Sequence, residues 1–253
     1  HWFDWRPDAD REVFCGRIGL DPSRPYVAYV GSSRFVAPNE GDFALEWATA
    51  VTAAIPSLQV LVRPHPENPF GEVEEVIAAL ADVAVHPRAG ENPVTTARRT
   101  TYFDSLWHAA AIVGVNTSAL VEGAVIGRPV LTLLTERYRA TQAGVLHFDH
   151  LLPERGGPLH VSKTLAEHVE ALERSLVDPG ASAARNERFV GHFIRPRGRD
   201  ISASEVLAEL IESTAERGAR PACLCPAHRR MLGRAMLLAG LPVELHPEGE
   251  EVS

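Results

Sequence analysis

The sequence predicts an α/β protein: a Rossmann-like parallel sheet with helices on both faces, followed by a C-terminal helical appendage. Three observations carry that expectation. Short, uniformly apolar segments such as Tyr26–Val30 have the composition of strands buried on both faces. Segments of helical periodicity alternate with them, as in successive βαβ units. Gly, Pro and small polar residues fall at the junctions, for example at Gly31-Ser32-Ser33, Pro56 and Gly127-Arg128-Pro129.

Taken in order, the first strand is Tyr26–Val30, introduced by Pro25. Helical spacing runs over 42–54 until Pro56 breaks it, and the strand at 58–62 leads into Arg63-Pro64-His65-Pro66. A helix is expected at 72–80, a short strand at 83–85 and a polar loop at 90–99. The densest stretch follows: an amphipathic helix reaching Ala110, a strand at 111–115, a helix at 117–126 and a strand at 130–134. After a loop rich in Gly, Pro and His, the segments 163–176, 181–193 and 202–216 read as helices. The last of these opens with a capping box of Ser202 and Glu205. The expected division is a linker or remnant of a preceding domain at 1–20, the Rossmann-like domain at 21–217 and the appendage at 218–253.

Composition narrows the function. With 45% hydrophobic and 23% charged residues among 253, the chain has ordinary globular composition and enough apolar material for a sizeable core. A formal net charge of −8 argues against general nucleic-acid binding, which needs a cationic surface to displace counterions from phosphates. Lys163 alone among the 25 basic residues is lysine, which points to a GC-rich genome more than to guanidinium chemistry. No apolar run approaches the roughly 20 residues of a membrane span, and no signal-peptide pattern opens the chain. A cytoplasmic location is the resulting expectation. The opening His1-Trp2-Phe3-Asp4-Trp5 suggests a preceding segment. Cys15, Cys223 and Cys225 are too few for a disulfide framework, and Cys223, Cys225 and His228 lack a fourth metal ligand, so no metal is expected.

In open parallel sheets, ligands bind beyond the carboxyl ends of the strands. Three segments are expected there. Gly31-Ser32-Ser33-Arg34 offers N–H groups, hydroxyls and a guanidinium to an anion, or else a plain strand-ending turn. In Arg63-Pro64-His65-Pro66 the two prolines restrict the backbone around the imidazole of His65. The segment 114–123 passes from strand to helix through Asn116, Thr117 and Ser118, where free N–H groups and the helix dipole favour a phosphate. Glu122 stands one turn beyond Ser118, placed to accept hydrogen bonds from ribose hydroxyls or, alternatively, merely solvated. The phosphate loop G-x-x-x-x-G-K-[ST], the dinucleotide turn G-x-G-x-x-G and the nucleophile elbow G-x-S-x-G are all missing, which disfavours kinases, dehydrogenases and serine hydrolases.

The strand ending in Arg63-Pro64-His65-Pro66 and the later run 102–131, from Tyr-Phe-Asp-Ser-Leu-Trp-His through Gly-Val-Asn-Thr-Ser-Ala-Leu-Val-Glu-Gly to Gly-Arg-Pro-Val-Leu, together resemble the donor-binding C-terminal domain of GT-B glycosyltransferases. Capsule-polysaccharide transferases, CDP-glycerol glycerophosphotransferases and bacterial sialyltransferases are similar in this respect. The resemblance implies one half of a GT-B architecture, with phosphate contacts at His65, Thr117 and Ser118 and a ribose contact at Glu122. Several of those families carry paired serines where this chain has Thr117-Ser118. The implied activity is transfer of a sugar or polyol phosphate from a nucleotide-activated donor to a glycan or surface-polymer acceptor, with no cofactor and the nucleotide as substrate. The implied partners are that donor, the acceptor and an N-terminal domain or partner subunit, with peripheral membrane association a further expectation for a full-length protein. A UDP-N-acetylglucosamine 2-epimerase and a non-catalytic nucleotide-sugar-binding subunit are the alternatives.

Overall fold

In the computed structural model, residues 2–217 are described. Six parallel strands form one sheet in the order β3-β2-β1-β4-β5-β6: β1 (Tyr26–Val30), β2 (Gln59–Arg63), β3 (Val83–Val85), β4 (Ala111–Val113), β5 (Val130–Leu133) and β6 (Leu159–Ser162). Strand order reverses between β1 and β4, leaving a crevice at their carboxyl ends. The connecting helices are α1 (Arg11–Ile18), α2 (Glu40–Ala54), α3 (Glu72–Ala78), α4 (Thr96–Trp107), α5 (Ala119–Val125), the short α6 (Arg139–Gln142) and α7 (Leu146–Asp149), α8 (Leu165–Val177) and α9 (Gly180–Phe189).

Side chains alternate across each strand, so a run that is apolar throughout supplies two cores. Val27 and Tyr29 of β1 face the first core with Val60, Val62, Trp47 of α2 and Leu172 of α8. Tyr26, Ala28 and Val30 face the second with Leu61, Leu106 of α4, Leu120 of α5 and Phe189 of α9. Truncating a large buried side chain such as Trp47, which is 1% exposed, costs about 3–5 kcal/mol.

Residues 2–20 do not run as a linker. Asp10 caps α1 by accepting from the Val13 N–H, Gly19 closes it at a φ of 79°, and Phe14 and Cys15 are buried in the second core. The expected loop at 90–99 is shorter than predicted, because Thr95 accepts from the Arg98 N–H and starts α4 there. Strand β6 was not anticipated, and the helix expected at 181–193 passes into a wider π-type turn over Val190–Ile194. The first compact unit ends at Asp200, not after 217. Taken by itself, α10 (Ala203–Glu216) of the second unit has the predicted capping box: Ser202 Oγ accepts from the Glu205 N–H and the Glu205 carboxylate from the Ser202 N–H. The appendage residues Cys223, Cys225 and His228 lie outside the described residues. No helix among the described residues is long and apolar enough to cross a membrane.

Candidate functional site

At the reversal between β1 and β4 lies a cleft of about 720 Å³. Its walls are the ends of β1 (Val30, Gly31, Ser33) and β2 (Arg63, Pro64, His65), the loop from Glu91 to Val94, Arg99 and Tyr102 of α4, Thr117, Ser118 and Glu122 around the start of α5, and Trp2. Two glycines allow the close approach that shapes the floor. The Gly31 N–H donates to the Arg63 carbonyl at 2.9 Å, and a Cβ on Gly31 would sit 3.0 Å from the His65 nitrogen. At Gly90, whose φ is +72°, a Cβ would lie 2.8 Å from the His65 carbonyl, so only glycine brings this loop against the end of β2 without strain.

His65 is half-buried, and burial holds its pKa below the usual imidazole range. Its Nδ1 accepts from the Glu67 N–H at 3.1 Å, which puts the ring proton of the neutral form on Nε2. The imidazole is therefore a neutral hydrogen-bond donor at neutral pH. Thr117 is half-buried and Ser118 exposed, and the Ser118 side chain makes no capping bond to α5.

Arg63 was not singled out from the sequence. Only 5% exposed, it has an Nη1 group with no hydrogen-bond partner. Its guanidinium lies 5.2 Å from the centroid of the Tyr102 ring, and no carboxylate among the described residues is within ion-pair distance of it. Burial draws its pKa down to about 10, which leaves it charged at neutral pH. A buried cation without a counter-charge is costly. A positive field directly under the cleft is its consequence.

Of the residues expected to contact phosphate, Gly31, Ser33, His65, Thr117 and Ser118 meet in this cleft, joined by Glu122. Ser32, Arg34 and Asn116 do not line it. Ser32 is buried: its N–H donates to Glu40 Oε2 at 2.6 Å, and its hydroxyl accepts from the Asn116 N–H at 3.4 Å. Arg34 points its Nε to the Glu67 carbonyl at 3.1 Å. Asn116 gives Nδ2 to the Thr141 carbonyl at 2.7 Å and lies 2.9 Å from His147 Nε2. These three brace the loops instead. Glu122 is already engaged, accepting from Trp2 Nε1 at 3.0 Å and from the Tyr102 hydroxyl.

A second crevice of about 580 Å³ lies past the end of β5, between Phe43 and Trp47 of α2 and Lys163 and Leu165 at the start of α8. Like the first, which carries Glu67, Glu91 and Glu122, it mixes charges, with Arg137, Arg139 and Lys163 beside Glu46 and Glu136, but neither of its arginines is buried as Arg63 is. Among the described residues no group of three or more His, Cys, Asp or Glu side chains is placed to hold a metal ion.

No family model and no curated protein matches the chain. Solved structures match it in fold. The wall teichoic acid polymerase TagF superposes with a TM-score of 0.53 at 11% identity over 82% of this chain. MnaA of S. aureus, in a co-structure with UDP, gives 0.52 at 10% over 88%, and WaaG, a glycosyltransferase involved in lipopolysaccharide biosynthesis, gives 0.50 at 15% over 84%. The chain has the fold of a GT-B half-domain. It spans about half of each of those proteins: 48%, 52% and 53% of their lengths. The cleft occupies the carboxyl-end position where an open α/β sheet takes its ligand.

Proposed function

We propose that this cleft binds the diphosphate of a nucleotide-activated donor, and that the chain is the donor half of a GT-B glycosyltransferase or polyol-phosphate transferase. The observation that carries the reading is Arg63: a buried guanidinium with an unmatched N–H, under a cleft lined by His65 and by the hydroxyl residues Ser33, Thr117 and Ser118. An anion in the cleft offsets the cost of burying that charge, and a charged hydrogen bond contributes about 1.5–3 kcal/mol where a neutral one contributes about 1. In transfer, negative charge builds on the leaving nucleotide phosphates. Preorganised donors at that position stabilise it without reorganising, so Arg63 acts through its field and His65 through Nε2–H. Glu122, one turn along α5, accepts from the nucleoside hydroxyls. Capsule or cell-surface glycan assembly is the setting we propose, and acceptor and general base belong to another domain or subunit.

Calorimetric titration with uridine, cytidine and their diphosphates tests the reading. Both diphosphates are expected to bind at least tenfold more tightly than their nucleosides. Equal affinity for a nucleoside and its diphosphate, or no binding by either, rejects it. Turnover of a UDP-sugar to a 2-epimer without an acceptor is the result that favours the epimerase alternative.

A further inference from the structure

Glu122 is gripped from two sides by elements distant in sequence. Its Oε2 accepts from the Tyr102 hydroxyl of α4, and its Oε1 accepts from the indole N–H of Trp2 at 3.0 Å. Of the four tryptophans in the chain, Trp2 alone lines the cleft. Its ring is fixed, stacked on Phe103 with centroids 5.4 Å apart and edge-on to Trp5 at 5.0 Å. Six residues on, the N–H groups of Asp8 and Ala9 donate to the Asp104 carboxylate at 3.1 and 3.2 Å, tying this segment to α4.

A carboxylate offers about four lone-pair sites. With one donor on each oxygen, Glu122 keeps one acceptor site per oxygen, and the plane of the carboxylate is set before any ligand arrives. We infer that Trp2 is a positioning residue of the ligand cleft: its indole N–H holds the Glu122 carboxylate in the orientation that accepts nucleoside hydroxyls. The inference rests on the nucleotide reading of the cleft. The charged and titratable groups that line the cleft with Glu122 are Tyr102 and Arg99 on α4, Arg63 and His65 at the end of β2, Glu67 just after it and Glu91 in the loop before α4. Burial makes Glu122 easier to protonate, and the bonds from Tyr102 and Trp2 oppose that. Removing the indole N–H therefore frees the carboxylate to turn and to take up a proton.

The test uses the full chain, with Trp2→Phe to keep an aromatic ring without the N–H and Glu122→Gln to remove the titrating group. Without ligand, tryptophan emission is followed from pH 4 to 8. The wild type is expected to show a step that both variants lack. With uridine and UDP, Trp2→Phe is expected to lose the same factor for both ligands, about threefold to tenfold, as for one net hydrogen bond, and to lose more toward low pH. A step that survives in Glu122→Gln, or Trp2→Phe binding both ligands as the wild type does, overturns the inference. The emission arm in Glu122→Gln does not depend on the Trp2 variant folding. If the wild type binds neither ligand while its emission step vanishes in Glu122→Gln, the nucleotide reading fails but the Trp2–Glu122 coupling stands.

Discussion

The loops after β1 and β4 use the same device and put it to different ends. Each brings a glutamate inward and fixes it with a tyrosine hydroxyl and one N–H donor. Glu40 takes the Tyr29 hydroxyl at 2.9 Å and the Ser32 N–H at 2.6 Å, and is wholly buried. Glu122 takes the Tyr102 hydroxyl and the Trp2 N–H, and its residue lines the cleft. Similar hydrogen bonding thus gives an internal tie in one case and a cleft-facing carboxylate in the other. Access to the cleft separates them.

The largest expected effect tests the internal tie. Burial pushes Glu40 up to about 8 from an ordinary 4.5. The folded state therefore holds a proton that the unfolded chain releases above pH 4.5. With more protons bound in the native state, stability falls as pH rises from about 4.5 to about 8 and levels off beyond. The slope reaches at most about 1.4 kcal/mol per pH unit, or roughly 4 kcal/mol over three units. Glu40→Gln is expected to flatten this slope and leave nucleotide affinity near wild type. Urea midpoints from pH 5 to 8 measure it, and an unchanged slope shows that Glu40 is not the group responsible.

Next in size is His65→Ala, which removes the Nε2–H donor. Diphosphate affinity is expected to fall by about 1.5–3 kcal/mol, with the nucleoside little affected. Equal losses for both ligands would show that the imidazole only shapes the cleft. Glu122→Gln follows at roughly 1 kcal/mol, and its signature is the reverse: nucleoside and diphosphate lose alike, because the hydroxyls are common to both. Loss confined to the diphosphate would move Glu122 out of the nucleoside contact.

The sheet was largely legible in the sequence because β1 is an unbroken apolar run and β2 and β5 are apolar but for Gln59, Arg63 and Thr132. Strand β6 was not, since in Leu-His-Val-Ser His160 and Val161 are only half-buried and the run is four residues long. Helix α1 escaped because Arg-Glu-Val-Phe-Cys-Gly-Arg-Ile carries one buried pair, Phe14 and Cys15, amid charge. The cleft position was legible from the three strand ends, and its electrostatics were not. An arginine closing a strand reads as a solvated charge until a distant Tyr102 is folded against it. Ser32 failed in the opposite way: a strand-ending Gly-Ser-Ser turn suits an anion, and nothing in that turn reveals that Glu40, eight residues on, already takes its N–H.

The smallest predicted effects make the sharpest contrast, since they compare one serine from each loop. Ser32 is 1% exposed, and its hydroxyl lies 3.4 Å from both Glu40 Oε1 and the Asn116 nitrogen. Those are long bonds, so Ser32→Ala is expected to lower unfolding stability by about 1 kcal/mol or less without changing diphosphate affinity. Ser118 is exposed, lines the cleft and makes no capping bond. Ser118→Ala is therefore expected to leave stability unchanged and to weaken the diphosphate by up to about 1 kcal/mol, less than His65→Ala because the neighbouring Thr117 remains. Unfolding and titration of the two variants side by side give four numbers, and the claim lies in their crossing: each serine moves one assay and not the other. If Ser32→Ala weakened the ligand and Ser118→Ala did not, the phosphate would lie against the loop after β1, and the roles assigned to the two loops would exchange.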